Sequence, residues 1–377
     1  MKEVLIASLA VITSLGATLD ETWDGLIGGK TAICNLSRFP TDLYRARIAA
    51  CIDNLDGHRE RSMIRDLLGR LCAAATDIPS DSTVIMATTK GGIDNLEKKK
   101  KGLPAEMSDI FPSSLAAFVS QKLNLLGPSF NISAACASST VAIGLGASLI
   151  SSGIAESVFV CCADIVTEFV FSGFSALQAL SPWPARPFDK NRSGLSLGEG
   201  AAYLHLVSPQ RAESTGTRPR FAIAGWGVAN DAFHLTSPAQ DGSGLQEAIR
   251  RAMKRASVHP RDVAGISAHG TGTVYNDLME IKAFRSAFGD RMPPTYSVKG
   301  AIGHTFGAAG GIEVAVGTKV LLDRTVPPTA GFADPENGAE GVVHSHPVPI
   351  FGRYLIATNS GFGGVNAAVI LKELNTL

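Results

Sequence analysis

The sequence lacks both a charge imbalance and a membrane-spanning run. Its 377 residues carry 34 Lys and Arg against 34 Asp and Glu, so the formal net charge is +0. A neutral chain is not attracted as a whole to nucleic acid or to an anionic membrane surface. No stretch reaches the about 20 apolar residues that a transmembrane helix needs. We therefore expect neither a nucleic-acid partner nor a membrane location.

Cysteine is scarce and follows no regular spacing. There is no Cys-x-x-Cys pair among the six cysteines, which are Cys34, Cys51, Cys72, Cys136, Cys161 and Cys162. This excludes a disulfide framework and favours free thiols in a reducing compartment, so we expect a cytoplasmic protein. Residues 1–17 have the apolar run of a signal peptide, but Glu3 lies where basic residues belong. We interpret this segment as a buried strand.

Hydrophobic residues are abundant, at 45% against 18% charged, which suits an α/β protein with a buried sheet. Short apolar segments alternate with helical patterns, and the order repeats after a polar stretch at 208–219. The pattern predicts two similar α/β halves, residues 1–210 and 211–377. We expect the active site where strand ends of both halves converge.

Cys136 lies at the predicted junction between a strand and a helix. Three of its near neighbours are alanines, which permit a sharp turn and leave room for a substrate. At a helix N-terminus, the dipole and the free N–H groups favour a thiolate, so the pKa of the thiol should be lowered. A free cysteine is more often a small buried hydrophobic residue. The stretch alone therefore leaves both interpretations open.

Two histidines occupy separate glycine-rich loops of the second half. His269 follows a predicted strand, and His304 lies in a loop that also contains Lys299 and leads to Glu313. A lone histidine is usually structural, but two at strand ends beside a candidate Lys–Glu pair favour a catalytic site. The spacing matches no zinc motif, so we expect no metal.

The segment TNSGFGGVN, residues 358–366, places Phe362 between Gly361 and Gly363. Such glycines allow the backbone to approach a substrate and to present an N–H to an oxyanion. An ordinary turn between the last two strands is the alternative.

Together these motifs resemble those of the β-ketoacyl synthases, the elongating, decarboxylating enzymes of type II fatty acid and polyketide synthesis. The matching segments, in order and spacing, are ACASS around Cys136, HGTGT from His269, KGAIGHTFGAAG from Lys299, and NSGFGGVN. Residues 12–33 and 185–201 match as well, so the resemblance covers essentially the whole chain. It implies the thiolase fold, two similar α/β halves in a layered α-β-α-β-α sandwich.

The resemblance implies an acyltransferase, a 3-oxoacyl-[acyl-carrier-protein] synthase. Cys136 would take the acyl group from a carrier-protein thioester. His269 and His304 would donate hydrogen bonds to the malonyl thioester oxygen as carbon dioxide leaves. The enolate would then attack the acyl-Cys136 thioester, with the Cys136 and Phe362 amides as the oxyanion hole. Gly361 and Gly363 would complete this gating loop.

Other residues receive supporting roles from the same resemblance. Lys299 and Glu313 would form an ion pair that orders the histidine loop. Thr271 and Thr273 would line the approach of pantetheine and malonyl. Because decarboxylation supplies the carbanion, no cofactor is implied beyond the phosphopantetheine that the carrier protein brings.

The implied partners are an acyl carrier protein and a second chain. Relatives place carrier-docking residues where this chain has Arg59, Arg61 and Arg65. The resemblance also implies a dimer, either with an identical copy or with a related ketosynthase-like subunit.

Two positions depart from the family pattern. The last loop reads NSGFGG, one Phe-Gly step shorter than in relatives, which alters the gating geometry around Phe362. Lys90, in ATTKGGID, stands where relatives place small or aliphatic residues that floor the acyl pocket. A short or polar pocket and a specialised product are therefore expected.

Several alternatives remain open. The chain could be the specialised ketosynthase subunit of a type II polyketide or polyene pathway, acting in a heterodimer. A thiolase would need a second cysteine in the last glycine-rich loop, which has none. Initiating ketosynthases use asparagine in place of His304, and noncatalytic partner subunits lack the nucleophile. A cysteine acyl hydrolase does not explain the spacing of Lys299, His304 and Glu313.

Overall fold

The computed structural model describes residues 2–57 and 60–375. Its strands are β1 (Leu5–Thr13), β2 (Cys34–Asn35), β3 (Ile48–Ala50), β4 (Thr83–Ala87), β5 (Ser129–Ile132), β6 (Ser157–Asp164), β7 (Leu197–Gly198), β8 (Gly200–Val207), β9 (Phe221–Asn230), β10 (Val263–Ser267), β11 (Thr295–Tyr296), β12 (Thr325–Val326), β13 (Val348–Pro349), β14 (Tyr354–Gly361) and β15 (Val365–Glu373).

The α-helices are α1 (Leu19–Ile27), α2 (Met63–Ala73), α3 (Asp94–Lys100), α4 (Pro112–Lys122), α5 (Ser138–Ser151), α6 (Glu168–Ala176), α7 (Pro209–Ser214), α8 (Ser243–Ala256), α9 (Val274–Phe288), α10 (Lys299–Ile302) and α11 (Ala309–Leu322). None of these helices is both long and apolar enough to cross a membrane.

The large sheet contains the same strand arrangement twice. Within the described residues its order is β11-β10-β14-β15-β9-β1-β8-β6-β4-β5. In each half, the first sheet strand in sequence, β1 or β9, lies at the centre of the sheet. Outward from it follow the fifth, fourth, second and third sheet strands of that half, in the same order on both sides. The two runs meet where β1 and β9 pair antiparallel at two positions, Leu5 with Ala222 and Ile6 with Phe221. The sequence prediction of two similar α/β halves is confirmed.

Strand β6 shows why the central strands are apolar on both faces. Successive side chains of a strand point to opposite faces. Val158, Val160 and Cys162 lie in the core cluster that contains residues of α5 and α11. Phe159 and Cys161 lie in a second cluster, with residues of α2 and α4. Because both faces are covered, both sets of side chains must be apolar.

The packing gives five layers. Helices α5 and α11 share the central core cluster with strands of both halves. Helices α2 and α4 cover the outer face of the first half, and α8 and α9 cover that of the second. This is the α-β-α-β-α sandwich of the thiolase fold. The boundary predicted between residues 210 and 211 lies inside α7, in the connection from β8 to β9, and its position stays a prediction.

Candidate active site

The candidate site lies where strand ends of the two halves converge. Strands β4, β5 and β6 are parallel neighbours, so their carboxyl ends share one edge of the sheet. Lys90 follows β4, Cys136 follows β5 and Asp164 ends β6. His269 follows β10 in the second half. The Cys136 sulfur, one ring nitrogen of His269 and one ring nitrogen of His304 all lie within 4.8 Å of one another.

A tight turn places Cys136 immediately before α5. Ala135 has a φ of +48°, an uncommon conformation for a residue other than glycine. Ser138 holds the turn: its Oγ accepts a hydrogen bond from the Ala134 N–H at 2.8 Å and donates to the Ala135 carbonyl at 2.6 Å. A Cβ atom at Gly361 would lie 3.1 Å from the Cys136 nitrogen, so the last loop packs closely against this turn.

His304 is in direct contact with the cysteine. Its Nε2 lies 2.9 Å from the Cys136 Sγ. The His304 backbone is fixed on both sides, because its N–H donates to the Ser196 carbonyl and its own carbonyl accepts from the Gly198 N–H. Gly303, with a φ of +68°, makes the turn after α10 that directs the chain there. Among the described residues the His304 Nδ1 has no hydrogen-bond partner, so both neutral tautomers are open to it.

Asn359 connects His269 to the buried ion pair. Its Nδ2 donates to the His269 Nδ1 at 3.2 Å and to the Glu313 Oε2 at 2.8 Å. Its Oδ1 accepts from the Thr140 hydroxyl. Since the His269 Nδ1 accepts, this network assigns its proton to Nε2. The sequence analysis did not identify Asn359; the available signal was a polar residue at the end of a buried strand.

The two imidazoles lie close together and are both held by backbone contacts. The rings of His269 and His304 are nearly perpendicular, with centroids 5.2 Å apart. The N–H groups of His269 and Gly270 donate to the two oxygens of Glu280, at 2.7 and 2.6 Å. Burial, and then repulsion from Asp277, raises the pKa of Glu280 to about 8. Glu280 therefore anchors the His269 loop to α9.

Lys299 and Glu313 are brought together as a buried ion pair. Their side chains are 2% and 0% exposed, and the Lys299 Nζ donates to the Glu313 Oε1. The second carboxylate oxygen of Glu313 is the one held by Asn359. A buried pair with all its oxygens engaged fixes geometry more than it adds stability. The pair therefore links α10, which leads to His304, with α11 and β14.

The electrostatics of the site correct one sequence prediction. A lowered pKa was expected for the Cys136 thiol, but burial raises its pKa to about 11, partly opposed by the charges of Lys90 and Lys299 and by the Phe362 N–H. Burial, together with Lys299, also holds the pKa values of His269 and His304 well below the usual value for histidine. The resting site therefore contains a protonated thiol beside two neutral imidazoles.

The glycine-rich turn presents a backbone N–H to the cysteine. Gly363 and Gly364 have φ values of +85° and +77°, which fit glycine and let the chain reverse between β14 and β15. The Phe362 N–H helps to lower the pKa of the Cys136 thiol. The Phe362 ring stacks on Phe174, with centroids 5.9 Å apart. The turn therefore brings a backbone N–H and an aromatic ring to the cavity that contains Cys136.

A cavity of about 360 Å³ leads to the cysteine. Its lining includes the two predicted threonines, Thr271 and Thr273, whose hydroxyl oxygens are 2.9 Å apart. Exposed Leu235 and Tyr275 line the same cavity nearer to solvent. The cavity therefore connects Cys136 to the surface through a lining that combines apolar side chains with hydroxyl, amide and imidazole groups.

The predicted docking residues have a different environment. Arg59 lies outside the described residues. Arg61 and Arg65 both form ion pairs with the buried Asp109, at 3.2 and 2.5 Å. The Arg65 side chain is only 18% exposed, whereas that of Arg61 is 49% exposed. Of the two, Arg61 has the more accessible charge.

The chain is similar to known proteins over nearly its whole length. The family model for the β-ketoacyl synthase N-terminal domain matches residues 73–212, and that for the C-terminal domain matches residues 220–333. The chain is 30% identical to 3-oxoacyl-[acyl-carrier-protein] synthase 2 of Vibrio harveyi, over 99% of each chain.

Two solved structures have the same fold over nearly the whole chain. The ishigamide ketosynthase/chain length factor has a TM-score of 0.91 and 27% identity, covering 99% of this chain and 100% of its own. A ketosynthase from Xenorhabdus doucetiae, solved in complex with its chain length factor, has a TM-score of 0.85 and 25% identity, with 99% and 98% covered.

Proposed function

The chain belongs to the β-ketoacyl synthase family, and from this membership we propose that it is an acyltransferase that condenses a malonyl thioester with an acyl group held on Cys136. The observation that carries the proposal is the position of the Cys136 Sγ, 2.9 Å from the His304 Nε2. The His269 ring lies beside them, nearly perpendicular to the His304 ring. A thiol nucleophile with two neutral imidazole donors suits thioester chemistry that generates negative charge on oxygen.

In the first half-reaction, Cys136 accepts the acyl group. Its Sγ attacks the thioester carbonyl of an acyl carrier protein, and the C–S bond to the carrier's phosphopantetheine breaks. The thiol proton moves to the departing carrier thiol, and the His304 Nε2 is in place to hold it in passing. The backbone N–H groups of Cys136 and Phe362 donate hydrogen bonds that stabilise the negative charge on the tetrahedral oxygen.

In the second half-reaction, the histidines stabilise an enolate. The bond between the malonyl carboxylate and its α-carbon breaks, carbon dioxide leaves, and the electron pair passes to the thioester oxygen. His269, with its proton on Nε2, and His304 donate hydrogen bonds to that oxygen. The α-carbon then attacks the acyl-Cys136 carbonyl, and the sulfur leaves as a thiolate. The thiolate takes a proton from water, so each condensation consumes one proton. No step in this scheme requires a bound cofactor or metal.

We infer that the chain works with an acyl carrier protein and with a second synthase-like chain. The support is the similarity to a carrier-protein synthase and to two ketosynthase structures that include a chain length factor. Arg61 offers an accessible charge for an acidic carrier. A cytoplasmic location is part of the same proposal. The oligomeric state of the purified chain decides whether the second chain is identical or related.

The proposal predicts that Cys136→Ala abolishes condensation. Malonyl-carrier and acyl-carrier thioesters are incubated with the protein, and carbon dioxide, acyl-protein and 3-oxoacyl product are measured, with and without iodoacetamide. We expect the product to fall below about one-thousandth of the wild-type rate, because a covalent nucleophile is not replaced by its neighbours. Cys34→Ala, at an exposed thiol, serves as the matched control and should remain active.

Different products would refute the proposal. If free acid and free carrier were the only products, the protein would be a thioester hydrolase. If Cys136→Ala condensed normally, Cys136 would not carry the acyl group.

A further inference from the structure

Lys90 places a positive charge beside two aromatic side chains near the candidate site. Its Nζ lies 5.2 Å from the centre of the Phe306 ring and 5.9 Å from that of Phe174. The Phe306 ring in turn lies 5.6 Å from the His304 ring, and Phe174 lines the cavity that contains Cys136. The ammonium group therefore lies next to one aromatic side chain that lines the proposed acyl site and another that contacts His304.

The hydrogen-bonding capacity of this ammonium group is largely unused. Lys90 is only partly exposed, and its hydrogen bond within the described residues is one contact with the Thr89 hydroxyl, at 3.2 Å. An ammonium group has three donors, and removing it from water is costly unless it is paired. The two aromatic faces offset part of that cost. At least one N–H donor remains for a ligand.

The nearby buried carboxylate is already engaged elsewhere. Asp164 accepts hydrogen bonds from the Thr88 and Thr89 hydroxyls at 2.7 and 3.0 Å, and from the Gly307 N–H at 2.7 Å. These bonds connect the Lys90 loop to the turn after His304. Asp164 therefore positions the loop, and its oxygens do not satisfy the donors of Lys90.

The charge of Lys90 reaches the reacting atoms. Among charged groups, Lys90 does most to lower the pKa of the Cys136 thiol, ahead of Lys299. It also lowers the pKa of His304. Since Coulomb interactions weaken with distance, this agrees with the ring contacts in placing the ammonium group close to the acyl thioester.

We propose that Lys90 determines acyl specificity, and that the acyl group carried by Cys136 bears an oxygen acceptor, oxo or carboxylate, that binds the Lys90 ammonium. This inference rests on the proposed function. A saturated chain would cover the ammonium group and leave its donors unpaired, whereas an acceptor oxygen would form a charge-assisted hydrogen bond. Discrimination of this kind is strong because the site itself is left unsatisfied by the wrong substrate.

The test compares three pantetheine thioesters of equal carbon number: octanoyl, 3-oxooctanoyl and 7-carboxyheptanoyl. Intact-protein mass spectrometry follows the rate of acyl transfer to Cys136. We expect wild-type protein to load at least one oxygen-bearing chain about 10- to 100-fold faster than octanoyl, the ratio that one charged hydrogen bond supplies. Comparison of the 3-oxooctanoyl and 7-carboxyheptanoyl rates shows whether a ketone or a carboxylate oxygen is recognised.

Two variants isolate the role of the ammonium group. Lys90→Met keeps an unbranched chain without the charge, and it should lose the preference and load octanoyl at least as fast as wild type. Lys99→Met changes an exposed lysine of α3 and should behave as wild type. The rate of Cys136 alkylation by iodoacetamide is measured for each protein, because it reports on the thiol alone.

The outcomes separate this inference from the proposed function. If wild type decarboxylates malonyl-carrier but loads octanoyl as fast as both other chains, the inference on Lys90 is overturned. It is also overturned if Lys90→Met slows all three chains and alkylation equally, since Lys90 would then act through the thiol. If wild type neither loads any chain nor releases carbon dioxide, the proposed function itself fails.

Discussion

At the scale of single residues, Cys136 experiences two opposing influences. It precedes α5, whose N-terminal N–H groups favour a thiolate. It is also buried, which favours the neutral thiol, and burial has the larger effect on its pKa. In the proposed mechanism, Cys136 is therefore activated by proton transfer to a neutral His304 during the reaction, more than by a preformed thiolate.

The raised pKa predicts an alkaline reactivity profile. Burial disfavours the charged thiolate, so the thiol stays protonated until the pH approaches its pKa of about 11. We expect the rate of iodoacetamide alkylation at Cys136 to keep rising with pH beyond about 8.5, which is the typical pKa of a free thiol. Peptide mass spectrometry follows the rate at Cys136 across pH, with the exposed Cys34 as an internal reference. A plateau below about pH 8 would contradict this and show that the helix terminus prevails.

The candidate site residues were predictable, but their connections were not. Residue type, position after strands and the family resemblance together pointed to Cys136, His269 and His304, and the structure brings the three side chains together. The hydrogen bonds of Asn359 join residues 46 and 90 positions away in sequence, and no local pattern encodes such a separation. The same holds for the proximity of Lys90 to Phe306. Desolvation of the thiol also depends on the complete packing, which is why its pKa direction was predicted wrongly.

At the scale of elements, α5 and α11 can pack in the middle layer because small residues face each other. A Cβ atom on Gly310 would lie 1.9 Å from the Thr140 Oγ1 and 2.7 Å from the Asn359 Oδ1. Gly311 also donates its N–H to the Ser139 hydroxyl. The sequence shows the small-residue composition of both helices, but it does not show that this packing supports the Asn359 network.

We predict that Gly310→Ala weakens both the fold and the site. The added methyl group displaces Thr140 or Asn359, so we expect a loss of about 1–3 kcal/mol in unfolding free energy and a lower rate of malonyl decarboxylation. Urea denaturation and carbon dioxide release measure the two effects. In the control Gly69→Ala, within α2, a Cβ atom meets nothing within 4 Å. This control should gain about 0.5–1 kcal/mol. Equal stability of the two variants would contradict the packing argument.

At the scale of the whole molecule, the duplication of strand order leaves β5 at one end of the sheet. Within the described residues its sheet neighbour is β4. The carbonyls of Pro128 and Ile132 accept hydrogen bonds from N–H groups of β4 and of the residue that follows it. Because backbone groups alternate in direction along a strand, Ser129 and Asn131 point their N–H and C=O groups away from β4. Leu126, just before the strand, is 87% exposed. An edge with free donors beside an exposed apolar residue is suited to pairing with another chain.

We therefore predict that the purified chain forms a dimer through β5. Ser129→Pro removes an outward N–H without touching the bonds to β4, and we expect it to raise the dimer dissociation constant about tenfold or more. Ser129→Ala keeps the N–H and should dimerise like wild type. Sedimentation velocity over a range of concentrations measures each constant. A wild-type chain that stays monomeric alone, and pairs only when a related synthase-like subunit is added, would contradict self-association and identify the functional unit as a heterodimer.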